Sequence, residues 1–256
     1  MGKTTKRSTL RKARGSHYFA QTGYPVTAVR VCIVRGDRVS HPHDLTELEH
    51  DHDFRELVIV VKGRARHRLQ GREVPVQTGD VYILQERSRH FFHDIEELDL
   101  INVMYDGSRL PLPFDQLRRL SGYSALFLLE PQYRRRHQFS SRLTLSPAAL
   151  DKARLLGEDM VREAAADHPG KGVMLLSRLL ELMTFLSRQY GKSTTTESRE
   201  LLRIGDVIGA LEREYARPWS IGEMCRIAHL SRSTFLRAFE KAMGQPPVEF
   251  LINRRL

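Results

Sequence analysis

The chain has little cysteine, no long hydrophobic run and no apolar segment near its N-terminus. Its 256 residues include two cysteines, Cys32 and Cys225. Two distant cysteines predict neither a disulfide framework nor a cysteine-ligated metal site, and they are typical of a reducing compartment. Without an apolar run of about 18 residues we expect no membrane-spanning helix. Without an apolar segment after the basic N-terminus we expect no secretory signal. These features favour a cytoplasmic protein, and the length favours two domains.

Motifs of common catalytic sites are missing as well. The chain has no nucleophile elbow, no Gly-rich phosphate loop and no paired-carboxylate motif. We therefore predict no catalytic residues and no enzymatic activity. Two further polar motifs, His41-Pro42-His43 and the run from Arg134 to His137, are interpreted as solvated loops.

The net charge of +10 is distributed unevenly along the chain. Residues 1–14 carry +6, residues 15–200 carry +1 and residues 201–256 carry +3. The basic N-terminus is rich in serine and threonine, which predicts a disordered tail over residues 1–16. Such a tail can contact nucleic-acid phosphates, or it can simply be solvated. The charge alone therefore does not identify a nucleic-acid-binding domain.

The last 38 residues, from Trp219 to Leu256, predict two short helices joined by a tight turn and the start of a third helix. Ser220 can cap a helix that ends near Ala228, with apolar residues spaced along one face. Ser231 can cap a second helix over 232–243, and Gly244 can end it in the left-handed conformation. The sequence thus predicts a helix-turn-helix.

The polar face of the second helix carries the candidate DNA-binding residues. An arginine can pair two donors with a guanine edge, while hydroxyl groups and lysines hold phosphates. The periodicity alone leaves a second interpretation open, an ordinary helical hairpin with a solvated face. The candidates are Ser231, Arg232, Ser233, Thr234, Leu236, Arg237 and Lys241.

The residue order from Ser231 to Gly244, continued through Pro247 to Leu256, resembles the first helix-turn-helix of the AraC/XylS family of bacterial transcription regulators. The resemblance extends over residues 201–256 and includes a preceding helix from about Leu201 to Tyr215. The chain departs from the family pattern at Phe235 and Glu240, where leucine and lysine are usual. The resemblance implies double-stranded promoter DNA as a partner, RNA polymerase as a further partner, and base-facing positions at Ser233, Leu236 and Arg237.

Members of that family carry two helix-turn-helix units joined by a long helix, and residues 247–256 supply only its beginning. The resemblance therefore implies an incomplete AraC-type DNA-binding domain over 201–256. Loss of one unit would remove several kcal/mol of specific binding. One interpretation that follows is a regulator that has lost DNA binding and persists as a sensor or dimerisation partner.

The N-terminal region predicts short strands separated by glycine turns. Examples are 26–34, 57–61 ending in a turn at Lys62-Gly63, 65–70, 81–84 and 98–105. This spacing is typical of a sandwich or barrel of the jelly-roll kind. We predict an α+β multidomain protein with a cupin-like β-barrel over 17–110 and an all-α C-terminal domain.

Three imidazoles and one carboxylate lie in the strand region at a spacing that resembles the cupin pattern. His50, His52, Glu56 and His90 match its four metal-ligand positions, and imidazole with carboxylate can bind iron, manganese, nickel, copper or zinc. The second cupin motif is degraded, with Gln85 and Arg87 in place of proline and glycine. The resemblance thus implies a divalent metal or, without metal, a ligand pocket.

The run from His50 to Tyr105 also resembles the sensor domain of the rhamnose-operon activators within the AraC family. That resemblance implies an effector site for a sugar or small metabolite, with no required cofactor. Imidazoles, carboxylates and an aromatic wall suit such a ligand, and Tyr82, Arg89 and Phe92 are the candidate wall residues. A metal-assisted pocket, a metallocupin dioxygenase or isomerase, and a domain without ligand remain alternatives.

Two helices are predicted between the strands and the C-terminal domain, within a connector over 111–190. The first covers about 147–166 and the second about 172–190, which is apolar on most sides and should be buried. The pair either covers the barrel or forms a homodimer, as the family resemblance implies. A polar linker is predicted over 191–200. Together these features predict a ligand-responsive transcription regulator.

Overall fold

The computed structural model describes residues 11–34, 37–39, 45–131 and 143–255, with the backbone alone described for 37–39. Within these ranges the chain forms a sheet domain, a helical connector and a C-terminal group of helices. The strands are β1 Arg11–Ala13, β2 Val26–Val34, β3 Asp37–Val39, β4 His50–His52, β5 Arg55–Leu69, β6 Arg72–Gln77, β7 Asp80–Leu84, β8 His90–Tyr105 and β9 Leu143–Thr144. The helices are α1 Gly15–Tyr18, α2 Phe114–Leu117, α3 Ser121–Tyr123, α4 Pro147–Ala165, α5 Lys171–Tyr190, α6 Thr196–Arg213, α7 Ile221–Ala228, α8 Arg232–Met243 and α9 Pro247–Arg255, and a π-helical segment, Ser124–Leu129, follows α3.

Two long antiparallel strands, β5 and β8, organise the sheet. β8 also pairs with β2 and β4, while β5 also pairs with β6 and β7. β1 joins β4 in parallel, and β9 adds to β7. The strands surround an apolar interior, and the predicted cupin-like sheet domain followed by a helical C-terminal region is confirmed.

The predicted turn at Lys62-Gly63 was wrong. Residues 55–69 form one strand, and the register with β8 shifts between Val60 and Lys62 and again between Arg64 and Arg66. Gly63 has a φ of 103°, and a Cβ there would overlap the carbonyl oxygen of Glu97. Glycine at this position therefore permits a bulge that bends the strand without ending it.

The centre of β5 is buried on both faces. One face, with Val58 and Val60, contributes to the interior of the sheet domain. The other face, with Leu57 and Ile59, belongs to a hydrophobic core that continues through the connector into the C-terminal helices. Because both faces are covered, this segment reads in the sequence as a continuous apolar run.

The connector helices α4 and α5 cover the outer face of the sheet. Gly157 of α4 lies against the side chain of Ile101 of β8, and Leu175 to Leu186 supply the buried face of α5. The prediction that α5 is buried on most sides was only partly right, since Val173 is 68% exposed and Met174 is 43% exposed. Covering the sheet is thus one role of the pair, and dimerisation stays a prediction.

The helix α6 begins inside the segment predicted to be linker. Thr195 caps it by accepting a hydrogen bond from the amide of Ser198, and the predicted linker over 191–200 is helical from Thr196 onward. On its inner side α6 lies against the connector. A Cβ at Gly209 would overlap the carbonyl oxygen of Arg118, and one at Gly205 would lie 2.8 Å from the carbonyl oxygen of Ser121.

Part of the predicted N-terminal tail has regular structure. Residues 1–10 lie outside the described residues, but Arg11–Ala13 pair with β4 and Gly15–Tyr18 form α1. Gly15 donates a hydrogen bond to Asp53 at 2.6 Å. The prediction of disorder was therefore wrong for residues 11–16. The motifs at His41 and at Arg134 also fall outside the described residues. Among the described helices, none is both long and apolar enough to cross a lipid bilayer.

Candidate functional site

Two histidines of β4, a carboxylate of β5 and a histidine of β8 meet inside the sheet domain. His50 and His52 occupy alternate positions of β4 and are both buried. Glu56 is buried near the start of β5, and His90 opens β8 opposite His50. The four residues, called the imidazole cluster below, are each at most 6% exposed. The structure thus brings the predicted ligand residues together.

Three members of the cluster form a compact set of ligand atoms. Those of His52, Glu56 and His90 all lie within 4.8 Å of one another. Oε2 of Glu56 lies 3.5 Å from Nε2 of His90 and 3.8 Å from Nε2 of His52. His50, predicted as a fourth ligand, lies beside this group, with its ring centroid 4.3 Å from that of His90.

A backbone contact fixes the tautomer of His52. Nδ1 of His52 lies 2.6 Å from the carbonyl oxygen of Phe54, which can only accept a hydrogen bond. Nδ1 must therefore carry a proton, and Nε2 of the neutral ring presents a lone pair toward Glu56. A lone pair that faces a carboxylate oxygen calls for a proton or a cation between them.

The electrostatics keep these imidazoles neutral. Burial lowers the pKa of His52 to about 4, against a hydrogen bond to Phe54 that raises it. Burial, followed by the neighbouring His50, His52 and His67, holds the pKa of His90 well below its ordinary value. Neutral imidazole is the form that binds metal ions. Among the described residues, neither Nε2 of His52 nor Nε2 of His90 has a hydrogen-bond partner. The donor set therefore fits a divalent metal ion.

A small cavity adjoins the imidazole cluster. Its volume is about 20 Å³, and its walls include His50, Glu56, His90, Phe54 and Phe92. One water molecule needs roughly 10–15 Å³ by this measure, so the cavity admits a metal ion or one or two waters. A monosaccharide would require the walls to move apart.

The three predicted wall residues have different positions. Phe92 lines the cavity, as predicted. Tyr82 is buried deeper in the sheet domain, where its ring lies 5.2 Å from that of His67. Arg89 is exposed, so its prediction as a wall residue was wrong. Arg89 lies just before β8, between the buried Ser88 and His90, and is itself exposed to solvent.

One inward-facing histidine escaped the sequence prediction. Nε2 of His67 lies 3.2 Å from Nδ1 of His90, and its ring stacks on Phe92 with centroids 4.2 Å apart. This contact helps to orient His90 toward Glu56. The sequence did contain a signal for the inward direction of His67, namely its alternation with Ala65 and Leu69 along β5. The flanking Arg66 and Arg68 obscure that signal.

The C-terminal helices form the predicted helix-turn-helix. Ser220 and Glu223 cap α7 reciprocally, with Ser220 N–H donating to Glu223 Oε2 at 2.9 Å. This hydrogen bond, followed by one from Arg217, lowers the pKa of Glu223 to about 2. His229 then turns the chain with a φ of 51°, and Gly244 ends α8 with a φ of 72°. The predicted bounds of α8 are confirmed.

The candidate DNA-binding residues occupy the outer side of α8. Arg232, Ser233, Arg237 and Lys241 are exposed, and Leu236 is half-buried against the hydrophobic core. Ser231 has a structural role, since its hydroxyl accepts from the amide of Thr234 and lies 2.9 Å from that residue's hydroxyl. The inner side of the helix carries Phe235, Ala238, Phe239 and Ala242, all buried.

With these geometries in place, residues 34–154 match the family model described as the AraC-like ligand binding domain. The matched segment starts at the end of β2, contains the imidazole cluster and extends past the predicted boundary at residue 110 into α4. The helix-turn-helix lies outside this segment.

Known proteins resemble a larger part of the chain. Over 217 residues it is 24% identical to the HTH-type transcriptional activator RhaR of Shigella flexneri serotype 5b, covering 84% of this chain and 73% of that protein. It is 25% identical over 208 residues to the HTH-type transcriptional activator RhaS of Pectobacterium carotovorum, covering 81% and 71%. The crystal structure of the AraC-like transcriptional activator CuxR matches 79% of this chain and 66% of that one at 12% identity, with a TM-score of 0.34.

Proposed function

We propose that this chain is a ligand-responsive DNA-binding transcription regulator. Its residues 34–154 match the AraC-like ligand binding domain. The proposal rests on one observation: the same chain contains an enclosed imidazole cluster and a helix-turn-helix. An enclosed imidazole cluster can bind a small effector, and a capped helix-turn-helix presents arginines, serine and lysine on an exposed face. The similarity to two transcription activators supports the same function.

The effector of this regulator is a sugar or small metabolite. Imidazoles and a carboxylate can bind hydroxyl groups, and Phe54 and Phe92 supply aromatic walls. Because the cavity holds only about 20 Å³, a sugar binds by selecting a more open state of the domain. It can bias DNA binding only by its difference in affinity between the two states.

Arg237→Ala is expected to reduce sequence-specific DNA binding by about tenfold or more, since one bidentate arginine contact contributes roughly 1–3 kcal/mol. The measurement is a band shift on duplexes enriched by the protein from a random pool. Arg237 is exposed, so the thermal unfolding midpoint should stay unchanged. Arg64→Ala, on the exposed side of β5, is the matched control.

Equal binding by Arg237→Ala and wild type would contradict this use of α8. A purified protein that enriches no sequence from the pool would contradict DNA recognition itself. Candidate sugars added to the band shift then test the effector, because the true effector must change the affinity for DNA.

A second candidate function is a metal-binding cupin. It is favoured by the Nε2 atoms of His52 and His90, which face Glu56 and have no hydrogen-bond partner within the described part of the chain. His52, Glu56 and His90 would hold the ion. A bound divalent ion supplies Lewis-acid polarisation of a ligand oxygen. In a regulator the same ion can hold the hydroxyl groups of an effector, so metal binding is compatible with either function.

Metal-stripped protein is expected to take up about one equivalent of manganese, nickel or zinc, measured by calorimetry and elemental analysis. His90→Gln removes one of three ligands and should lower the affinity by at least about 100-fold, because even outer-shell losses reach that range. His168→Gln, which alters an exposed imidazole, is the control. No uptake by wild type would contradict a metal site and leave the sugar pocket as the function of the cluster.

The cellular setting is also part of the proposal. A DNA partner and two free cysteines favour the cytoplasm. Leu155 of α4 and Val173 and Met174 of α5 are exposed apolar side chains that a homodimer interface would cover, and a homodimer suits two-fold DNA sites. A regulator of this kind can act through contact with RNA polymerase.

A further inference from the structure

The exposed face of α6 carries a row of arginines that the helix-turn-helix does not explain. Arg199, Arg203, Asp206 and Arg213 are exposed there, and the buried Ala210 lies among them. The five positions fall within an arc of about 80° at 100° per residue. The opposite face of α6 packs into the hydrophobic core through Leu201, Ile204, Val207, Ile208 and Leu211. The row spans about 21 Å along the helix axis.

An open groove lies between the first half of α6 and α8. Its volume is about 530 Å³, and Arg199 and Arg203 line it from α6. Arg237 and Lys241 line it from α8, with Glu200 as the one carboxylate among the lining residues. This space, called the recognition groove below, thus joins the row of arginines to the candidate base-reading helix.

A second open groove follows along the same face of α6. Its volume is about 550 Å³, and it is lined by Arg213 of α6, by Arg226 and His229 of the helix-turn-helix, and by Arg119 of the connector. The turn between α7 and α8 lies between the two spaces, because His229 lines this one and Leu230 lines the recognition groove. We call the second space the junction groove.

The charge of the two grooves is unbalanced. Eight arginines and lysines line them, against the two carboxylates of Glu200 and Asp206. Of the nearby acids, Glu212 pairs with Arg118, which is one of these eight residues, at 3.1 Å and with Arg254 at 2.7 Å. Glu214 and Glu223 both pair with Arg217. Five of the nine basic residues of 201–256 thus line the two grooves, beside one carboxylate of that segment, Asp206.

We propose that the exposed face of α6, with the two grooves beside it, binds the phosphate backbone of double-stranded DNA. This inference rests on the proposed DNA-binding function and assigns contacts that the helix-turn-helix prediction lacked. Phosphates of one strand recur every 3.4 Å along the duplex axis, so a row of about 21 Å can meet several of them. A small phosphorylated ligand would fill one groove and leave the other empty. Arg119 brings the connector of the ligand-binding domain into the same contact.

The test measures the salt dependence of binding to a 30-bp duplex of mixed sequence by fluorescence anisotropy. Arg199→Gln with Arg203→Gln removes two phosphate contacts from the recognition groove. We expect the slope of log K against log salt to decrease by about 2, and the affinity near 0.1 M salt to fall at least about tenfold. Arg213→Gln with Arg226→Gln should act similarly on the junction groove. Glutamine keeps the helix propensity of arginine.

Arg64→Gln with Arg68→Gln is the matched control, because both arginines are exposed on β5 and the loss of charge is the same. An unchanged slope and affinity in the α6 double variant, beside a wild type that binds, would overturn the backbone contact while leaving the proposed function intact. A wild type that does not bind the duplex at 50 mM salt would overturn both.

Inorganic pyrophosphate, titrated at constant ionic strength, separates DNA from a free anion as the source of phosphate. We expect it to compete with DNA weakly and without saturable thermal stabilisation of the protein. Saturable stabilisation that is lost in Arg213→Gln with Arg226→Gln, together with an unchanged DNA slope in that variant, would overturn the assignment of the junction groove to DNA.

Discussion

Gly209→Val is expected to lower the free energy of unfolding by about 3 kcal/mol, because the helix α6 has no room for a side chain where it meets the connector. A Cβ at this position would overlap the carbonyl oxygen of Arg118. The backbones of α6 and of the connector meet here, and backbone atoms cannot move aside as the end of a flexible side chain can. Urea unfolding followed by circular dichroism would measure the loss as a lower midpoint.

The matched control for this substitution is Gly222→Val in α7. A Cβ at Gly222 would meet only the hydroxyl of Ser220, at 3.8 Å, so the same change has open space. We expect the control to stay within about 0.5 kcal/mol of wild type. Equal unfolding midpoints for both variants would show that α6 and the connector do not approach so closely.

The same contact connects the region that follows the proposed effector site with the proposed DNA-binding helices. α6 is the first helix of the proposed DNA-binding part, and the connector residues Arg118 and Ser121 belong to the region that follows the sheet domain. The Arg118–Glu212 ion pair and a hydrogen bond between Ser121 and Asp206 cross the same boundary. The close packing at Gly205 and Gly209 joins the connector directly to α6.

The sequence predicted the helix-turn-helix closely because its boundaries depend on local interactions. Ser220 and Ser231 cap the amides three residues later, and Gly244 adopts the left-handed conformation that ends α8. Each of these signals acts within one helical turn, so a single sequence displays it. The same holds for α4, whose start after Ser146 was predicted from the cap.

Features that depend on contacts between distant parts of the chain were harder to predict from the sequence. Gly63 resembles a turn residue, yet it lies inside β5, where a Cβ would overlap the carbonyl oxygen of Glu97, a residue 34 positions away. In the sequence, Gly209 is a residue of low helix propensity inside a predicted helix. The close approach of the connector explains why a glycine is needed there. His67 sits between two exposed arginines, and its inward direction follows from the register of β5 against β8.

The net charge of residues 201–256 also hides information that depends on contacts between distant residues. A net charge of +3 over residues 201–256 is modest in the sequence. In the structure, Glu212 pairs with Arg118 and Arg254, and Glu214 and Glu223 pair with Arg217. The basic residues that line the two grooves from this segment are Arg203, Arg213, Arg226, Arg237 and Lys241. The net charge could not reveal this arrangement, because the arrangement depends on which acidic and basic side chains the fold brings into contact.

Acidification from pH 7.5 to 5.0, in the presence of EDTA, is expected to lower the free energy of unfolding by about 2 kcal/mol through His52 alone. Burial lowers the pKa of His52 in the folded protein to about 4, against an ordinary value of 6.5. Between these values the unfolded chain binds a proton that the folded protein does not. Stability is therefore fully present above pH 6.5 and is lost as the pH falls toward 4.

The measurement is urea unfolding at a series of pH values, compared between wild type and two variants. His52→Gln removes the titrating group, so its unfolding free energy should depend less on pH even if its stability at pH 7.5 is lower. His168→Gln changes an imidazole whose side chain is 68% exposed and should keep the wild-type pH dependence. His90, whose pKa burial also depresses, makes the wild-type dependence steeper. A wild-type stability that stays constant from pH 7.5 to 5.0 would mean that the imidazole cluster is protonated or open to solvent, and the case for neutral metal-ligating imidazoles would fail with it.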